Sequence, residues 1–167
     1  QGGEEPTFTD AIVSLGFLNP EHLVGGKLKL SSGKARQVLT EKIAAPLNLD
    51  ILEAAWGVYQ VACGSMVRAV KAVSTYRGRD PRDFSLFAFG GNGPVVAAGI
   101  AKLLDMNRVV VPPAPGVFSA HGLLLSDVEH EISRAWLNRL SQVSPDSMEA
   151  AFVILEFDLT ELMEGEG

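Results

Sequence analysis

Ser85-Leu86-Phe87-Ala88-Phe89-Gly90-Gly91-Asn92-Gly93-Pro94 decides how the rest of this chain reads. Residues suited to a buried strand run into a glycine turn, and the apolar run from Pro94 to Leu104 follows as a helix. A strand, a glycine turn and a helix N-terminus in succession bring backbone N–H groups together, which suits an anion, most often a phosphate. A tight structural βα connection has the same sequence. The stretch is neither the Gly-x-Gly-x-x-Gly dinucleotide fingerprint nor a Walker A loop, because no Gly-Lys-Ser/Thr follows. A Rossmann-type site also needs an acidic residue at a strand end about 20 residues on, and Asp105 ends a helix instead.

Downstream, Arg108-Val109-Val110-Val111 reads as a second buried strand, so residues 85–111 form a β–α–β unit with a right-handed parallel crossover. Pro112-Pro113-Ala114-Pro115-Gly116 stiffens the exit, and Val117 to Leu125 reads as helical. Val128, His130, Ile132, Arg134 and Trp136 alternate with more polar neighbours, as in a half-exposed strand. Asp146-Ser147-Met148-Glu149 has capping-box spacing. It opens a last helix with Phe152, Leu155, Leu159 and Leu162 along a seam that wants a partner. The polar stretch Ser141 to Pro145 is the expected boundary, between a main region, 1–140, and a trailing amphipathic helix, 141–167.

Upstream, Asp50-Ile51-Leu52-Glu53 is another capping box. Its helix is expected to reach about Tyr76, roughly 40 Å, with Gly78 as a stop. Glu53, Gly57, Gln60, Gly64, Arg68, Lys71 and Thr75 form one polar or small stripe, and the remaining circumference is apolar and expected to be buried. The stripe either faces solvent, or Gly57 and Gly64 let another backbone come close while Arg68 and Lys71 face an anionic ligand. Before that, Ser32 caps a helix from Gly33 to about Ala44 that Pro46 ends, and Thr9 or Asp10 caps Ala11 to Leu15.

The 167 residues suffice for one domain with a core, or for part of a larger one. A net charge of −6 with scattered Lys and Arg disfavours nucleic-acid binding. The single Cys63 excludes an internal disulfide, reads as a core thiol, and fits a cytoplasmic, reducing compartment. Apolar runs are too broken for a membrane span. The start at Gln1-Gly2-Gly3, without an initiator Met, reads as an excised piece. His22, His121 and His130 lack metal-ligand spacing, and no metal site is expected. Among the carboxylates Asp10 stands out, after Thr7-Phe8-Thr9 and beside Gly2-Gly3; a helix cap is its plainer role.

Several stretches together resemble the hydantoinase A/5-oxoprolinase family, which also includes acetone carboxylase subunits. They are Gly2 to Ala11, Leu18-Asn19-Pro20, Arg68 to Ser74, Arg77-Gly78-Arg79-Asp80-Pro81-Arg82-Asp83-Phe84, Phe87 to Pro94, and Pro112 to Ala120. The resemblance implies an α/β fold: part of a ribonuclease-H-like, actin- and sugar-kinase-like ATPase lobe, with a long central helix and a short mixed sheet. It implies a fragment of a longer enzyme that uses ATP with Mg²⁺ to open a cyclic amide, a hydantoin or 5-oxoproline, by phosphorylating the carbonyl oxygen. Gly90, Gly91, Asn92 and Gly93 match the nucleotide turn. Thr9 and Asp10 are candidates near substrate or metal, and Arg68 and Lys71 are candidate anion contacts. Expected partners are the cyclic amide, the rest of the same enzyme, a hydantoinase B-type subunit and further copies in an oligomer.

The departures are Val96 where the family pattern has His, His121 in the Gly-Val-Phe-Ser-Ala run, and Cys63 and Ser65 where the long helix commonly carries Asn. The first-lobe phosphate loop is absent from these residues. The alternative is a non-catalytic α/β interaction module whose glycine turn is only structural.

Overall fold

Thr7, with an extended backbone, starts the first helix, α1 (Phe8–Ser14), ahead of both expected caps, Thr9 and Asp10. The Asp10 carboxylate accepts from the Thr7 N–H at 2.8 Å, and Thr7 Oγ1 accepts from the Asp10 N–H at 3.3 Å, a closed capping box. The structure is a computed structural model describing residues 3–127 and 129–165. Ser31 caps α2 (Ser32–Leu39). Pro46 does not end this helix: a π-helical turn, Thr40–Ala44, carries the chain into α3 (Ala45–Leu47). There the Ala45 N–H reaches back to the Thr40 carbonyl. The wider turn displaces the carbonyl that a proline ring strikes in a regular α-helix.

The Asp50–Glu53 capping box opens α4 (Ile51–Val73), 23 residues and about 35 Å long. The helix ends at Val73, short of the expected Tyr76; a short 3₁₀ turn, Thr75–Arg77, follows, and Gly78 closes that turn at φ +74°. Only one stripe of α4 is buried: Ala54, Ala55, Tyr59, Cys63 and Val67. Val61 and Val73 are 72% and 59% exposed, so the expectation of burial around most of the circumference is corrected. The polar stripe does face outward, with Gln60 and Arg68 exposed.

Next come β1 (Leu86–Phe87), α5 (Gly93–Leu103) and β2 (Val109–Val110). The strands pair in parallel, Leu86 with Val109 and Phe87 with Val110, as the β–α–β reading requires. Leu86 packs on the core and Ala88 is buried, whereas Phe87 and Phe89 point the other way and are about half exposed. One face of this small sheet is therefore open. A 3₁₀ turn, Pro115–Val117, leads into α6 (Phe118–Leu123), and Ser144 caps α7 (Pro145–Glu164).

The chain divides into two compact units, Gln1–Gly122 and Leu123–Gly167, so residues 123–140 group with the last helix rather than with the main region. The strand expected around His130 to Trp136 is absent: residues 129–139 have no regular structure, because no strand pairs with them. Val128 and Gly2 lie outside the described residues.

The main unit is held where α4 crosses α5. A Cβ on Gly99 would stand 2.8 Å from both Cys63 Sγ and Tyr59 Oη. Gly57 and Gly64, the glycines that could have served a close approach, have nothing within 4 Å. Gly99→Ala is expected to lower Tm, since overpacking costs about 1–3 kcal/mol against about 1 kcal/mol gained in helix propensity. Gly57→Ala gains the propensity term without the clash and raises Tm. Cys63→Ala in the Gly99→Ala background recovers part of the loss, and thermal denaturation of the four proteins checks all of this.

Candidate functional site

At the carboxyl end of β1 the backbone turns sharply. Gly90 takes φ +85°, a conformation that favours glycine, and donates its N–H to the Pro115 carbonyl at 2.7 Å. That bond ties the turn to the segment entering α6. Asn92 occupies the N-cap of α5, but its side chain makes no capping bond. No protein acceptor among the described residues takes the N–H of Gly91, Asn92 or Gly93. Nothing lies within 4 Å of where a Cβ would stand on Gly90 or Gly91. The turn thus offers open backbone donors at the positive end of a helix dipole. Pro94, in the first turn of that helix, lacks an N–H that would in any case be unpaired.

Behind the turn α5 is anchored. Tyr59 donates its hydroxyl to the Val95 carbonyl at 3.1 Å. Burial first, then the contact with Cys63, pushes the Tyr59 phenol above its ordinary value, so it stays a donor. Val96 is buried in the core between α4 and α5. Cys63 is buried in that same core, as read from the sequence.

Beside the turn, Phe87, Phe89 and Phe118 form a ring cluster with centroids 5.4–6.0 Å apart. His121 stacks on Phe118 at 6.4 Å. Sequence reading did not pick out this cluster, although Phe87 and Phe89 at a spacing of two were a signal for it.

The other candidates sit on α1 and α4. The Asp10 carboxylate accepts both the N–H and the hydroxyl of Thr7, the latter at 2.6 Å. Thr9 is half-buried on α1. The Arg68 guanidinium donates to Ser65 Oγ at 3.0 Å. Lys71 lines an open cleft of about 550 Å³ with Arg79, Arg82, Leu103 and Asp105, at the end of α5 away from the glycine turn. In this cleft Arg82 forks onto Asp80, with Nη2–Oδ2 at 2.6 Å and Nε at 3.0 Å from both carboxylate oxygens. Among the described residues no cluster of three or more His, Cys, Asp or Glu is placed to hold a metal. No described helix is long and apolar enough to cross a membrane.

Residues 1–132 match the family model described as Hydantoinase/oxoprolinase. The chain is 43% identical to the acetophenone carboxylase gamma subunit of Aromatoleum aromaticum over 129 residues, 77% of this chain and 17% of that protein. The crystal structure of the ATP-dependent caprolactamase of Pseudomonas jessenii matches with a TM-score of 0.69 and 37% identity, over 76% of this chain and 18% of that one. The nucleotide-free structure of acetone carboxylase, from work on ATP-dependent acetone carboxylation, matches with a TM-score of 0.72 and 29% identity, over 98% of this chain and 23% of that one. The chain therefore spans about a fifth of the length of these relatives.

Two measurements probe the charged groups. The Arg82 hydrogen bonds hold the Asp80 carboxyl at about 2, below its ordinary 3.8. A depressed carboxylate stabilises the fold above its ordinary value, and that contribution is lost as pH falls from 3.8 through about 2. An NMR titration of Asp80 is expected to show this midpoint, and Arg82→Ala to return it towards the ordinary value. Asp10→Ala, at N3, opens the α1 capping box and is expected to cost about 0.3–1.5 kcal/mol in denaturant unfolding.

Proposed function

The chain belongs to the hydantoinase/oxoprolinase family, and we propose that it supplies the nucleotide-binding glycine turn of an ATP-dependent enzyme that opens a cyclic amide ring. The observation that carries this is the β1–turn–α5 geometry. The N–H groups of Gly91, Asn92 and Gly93 have no protein acceptor, and they sit at the carboxyl end of a parallel strand, where α/β sheets bind their ligands. The open space over Gly90 and Gly91 lets a phosphate or ribose come directly onto the backbone. The residues present thus fit one side of a nucleotide.

In this reading the lobe is ribonuclease-H-like, and the phosphate loop facing this turn belongs to a part of the enzyme outside these residues. ATP, when bound, supplies the phosphoryl group that turns an amide oxygen into a leaving group. This chain's part is to fix the turn: Gly90 is held by Pro115, and Val95 by Tyr59, so the donors are preorganised before nucleotide arrives. Mg²⁺ accompanies the nucleotide phosphates. Asp10, with Thr9 beside it, contributes near the substrate or metal through the carboxylate oxygen that the cap leaves open. Lys71 and Arg68 serve as anion contacts away from the turn. Relatives named as subunits of carboxylases support a partner subunit for this chain.

A second reading, a non-catalytic interaction module, is favoured by Val96, which puts a buried methyl pair where the family has an imidazole. Nucleotide titration of the full-length gene product separates the two. Gly91→Asp places a carboxylate among the phosphate donors. It is expected to weaken ATP binding by at least about tenfold, roughly 1.4 kcal/mol. It is also expected to abolish ATP turnover stimulated by a hydantoin, 5-oxoproline or another lactam. Gly57→Ala, away from the turn, leaves both unchanged. ATP turnover stimulated by a ketone with bicarbonate, and not by any lactam, would place the chain with the carboxylating members. Absence of ATP binding, or indifference to Gly91→Asp, would leave the interaction module.

A further inference from the structure

In the second unit, residues 131–138 take part in no backbone hydrogen bond among the described residues. The segment nevertheless lies along α7. Arg134 reaches Asp158 at 3.4 Å, and Arg134 and Trp136 wall two apolar hollows of about 270 and 340 Å³ against Ala151 and Leu155. Arg134 and Trp136 share this face because side chains two apart in an extended chain point the same way. Leu137, of the opposite parity, is 95% exposed. The sequence thus carries a strand's alternation and one side of its packing, but half of what a strand requires is missing. Its amides and carbonyls have no partner among the described residues, and a lone strand is not stable in water.

We propose that residues 131–137 are an open strand edge, filled by a β-strand from a part of the same polypeptide outside these 167 residues. The relatives say where such a strand can come from: the acetone carboxylase chain matches 98% of this one, second unit included, within a polypeptide more than four times as long. A second copy of this chain is the poorer occupant. Edge-to-edge pairing that covers the hollows sets two α7 helices side by side. Each carries Asp146, Glu149, Glu156, Asp158, Glu161 and Glu164, with no Lys or Arg. Like charges at that spacing oppose association. The same acidity states the chemistry of the strand that fits: apolar side chains over the hollows beside Trp136, and Lys or Arg near the α7 carboxylates, as Arg134 already does for Asp158. Main-chain pairing supplies affinity and the alternating side chains supply selectivity, the mode of β-strand addition.

Amide hydrogen exchange resolved by NMR in the full-length gene product tests this. A strand paired on one edge protects alternate amides, so every second N–H from 131 to 137 is expected to exchange about 100-fold or more slowly than its neighbours. That protection is expected to be unchanged on dilution. Uniformly fast exchange across the segment would overturn the proposal. Protection that disappears on dilution would overturn it in favour of a second copy.

Discussion

The crossing of α4 over α5 at Gly99 is the constraint on which the main unit rests. Cys63 Sγ and Tyr59 Oη occupy the space a side chain at position 99 would need, so the two helices approach as closely as backbone against side chain permits. Tyr59 stands at the centre of a ring stack, 5.0 Å from Trp56, 5.4 Å from Phe17 and 6.3 Å from Phe8, so the same residue joins α1 to the pair. Its hydroxyl ends on Val95, in the first turn of α5. The position of the glycine turn is thus set from behind by a buried phenol, and from the side by the Gly90–Pro115 hydrogen bond. A turn fixed at two points loses little entropy when its N–H groups take a ligand.

What the sequence discloses follows from how far apart the interacting residues are. Asp50 and Glu53 close a capping box within one turn, and Gly78 closes the 3₁₀ turn after α4 through its own φ, so the start of that helix and the limit of its continuation are visible in a short window. The β–α–β unit is visible for the same reason: strand, glycine and helix signals follow one another without interruption. Thr7-x-x-Asp10 is also a box by spacing, and taking Thr9 or Asp10 as the cap overlooked it. Pro46 was not decidable locally, because only the π turn before it reveals room for the ring. Nor was the crossing glycine. Gly57, Gly64 and Gly99 look alike in sequence, and only the side chains opposite each one distinguish them.

The candidate site divides along the same line. The geometry of the glycine turn was legible because it belongs to the backbone, where residue identity dictates conformation. Asp10, Arg68 and Lys71 act through side chains, and what those reach depends on tertiary placement. Asp10 caps α1 through one carboxylate oxygen, Arg68 donates to Ser65, and Lys71 lines the cleft at the other end of α5. Alternation at residues 130–136 was legible too, but a strand exists only with its neighbour, and no described residue pairs with this segment.

The turn therefore contributes shape and dipole rather than charge. Backbone donors at a helix N-terminus carry about half a unit charge between them, and water competes for each one while the site stays open. Phe87 and Phe89, beside the turn, are still about half exposed, so nothing here excludes that water. An electrostatic site gains strength as its surroundings lose solvent, since the same dipole acts across a lower dielectric. On the proposed reading, burial of these rings would strengthen the hold of Gly91, Asn92 and Gly93 on an anion without touching it. In this fold the burial of an aromatic face and the affinity of a neighbouring glycine turn are a single physical problem.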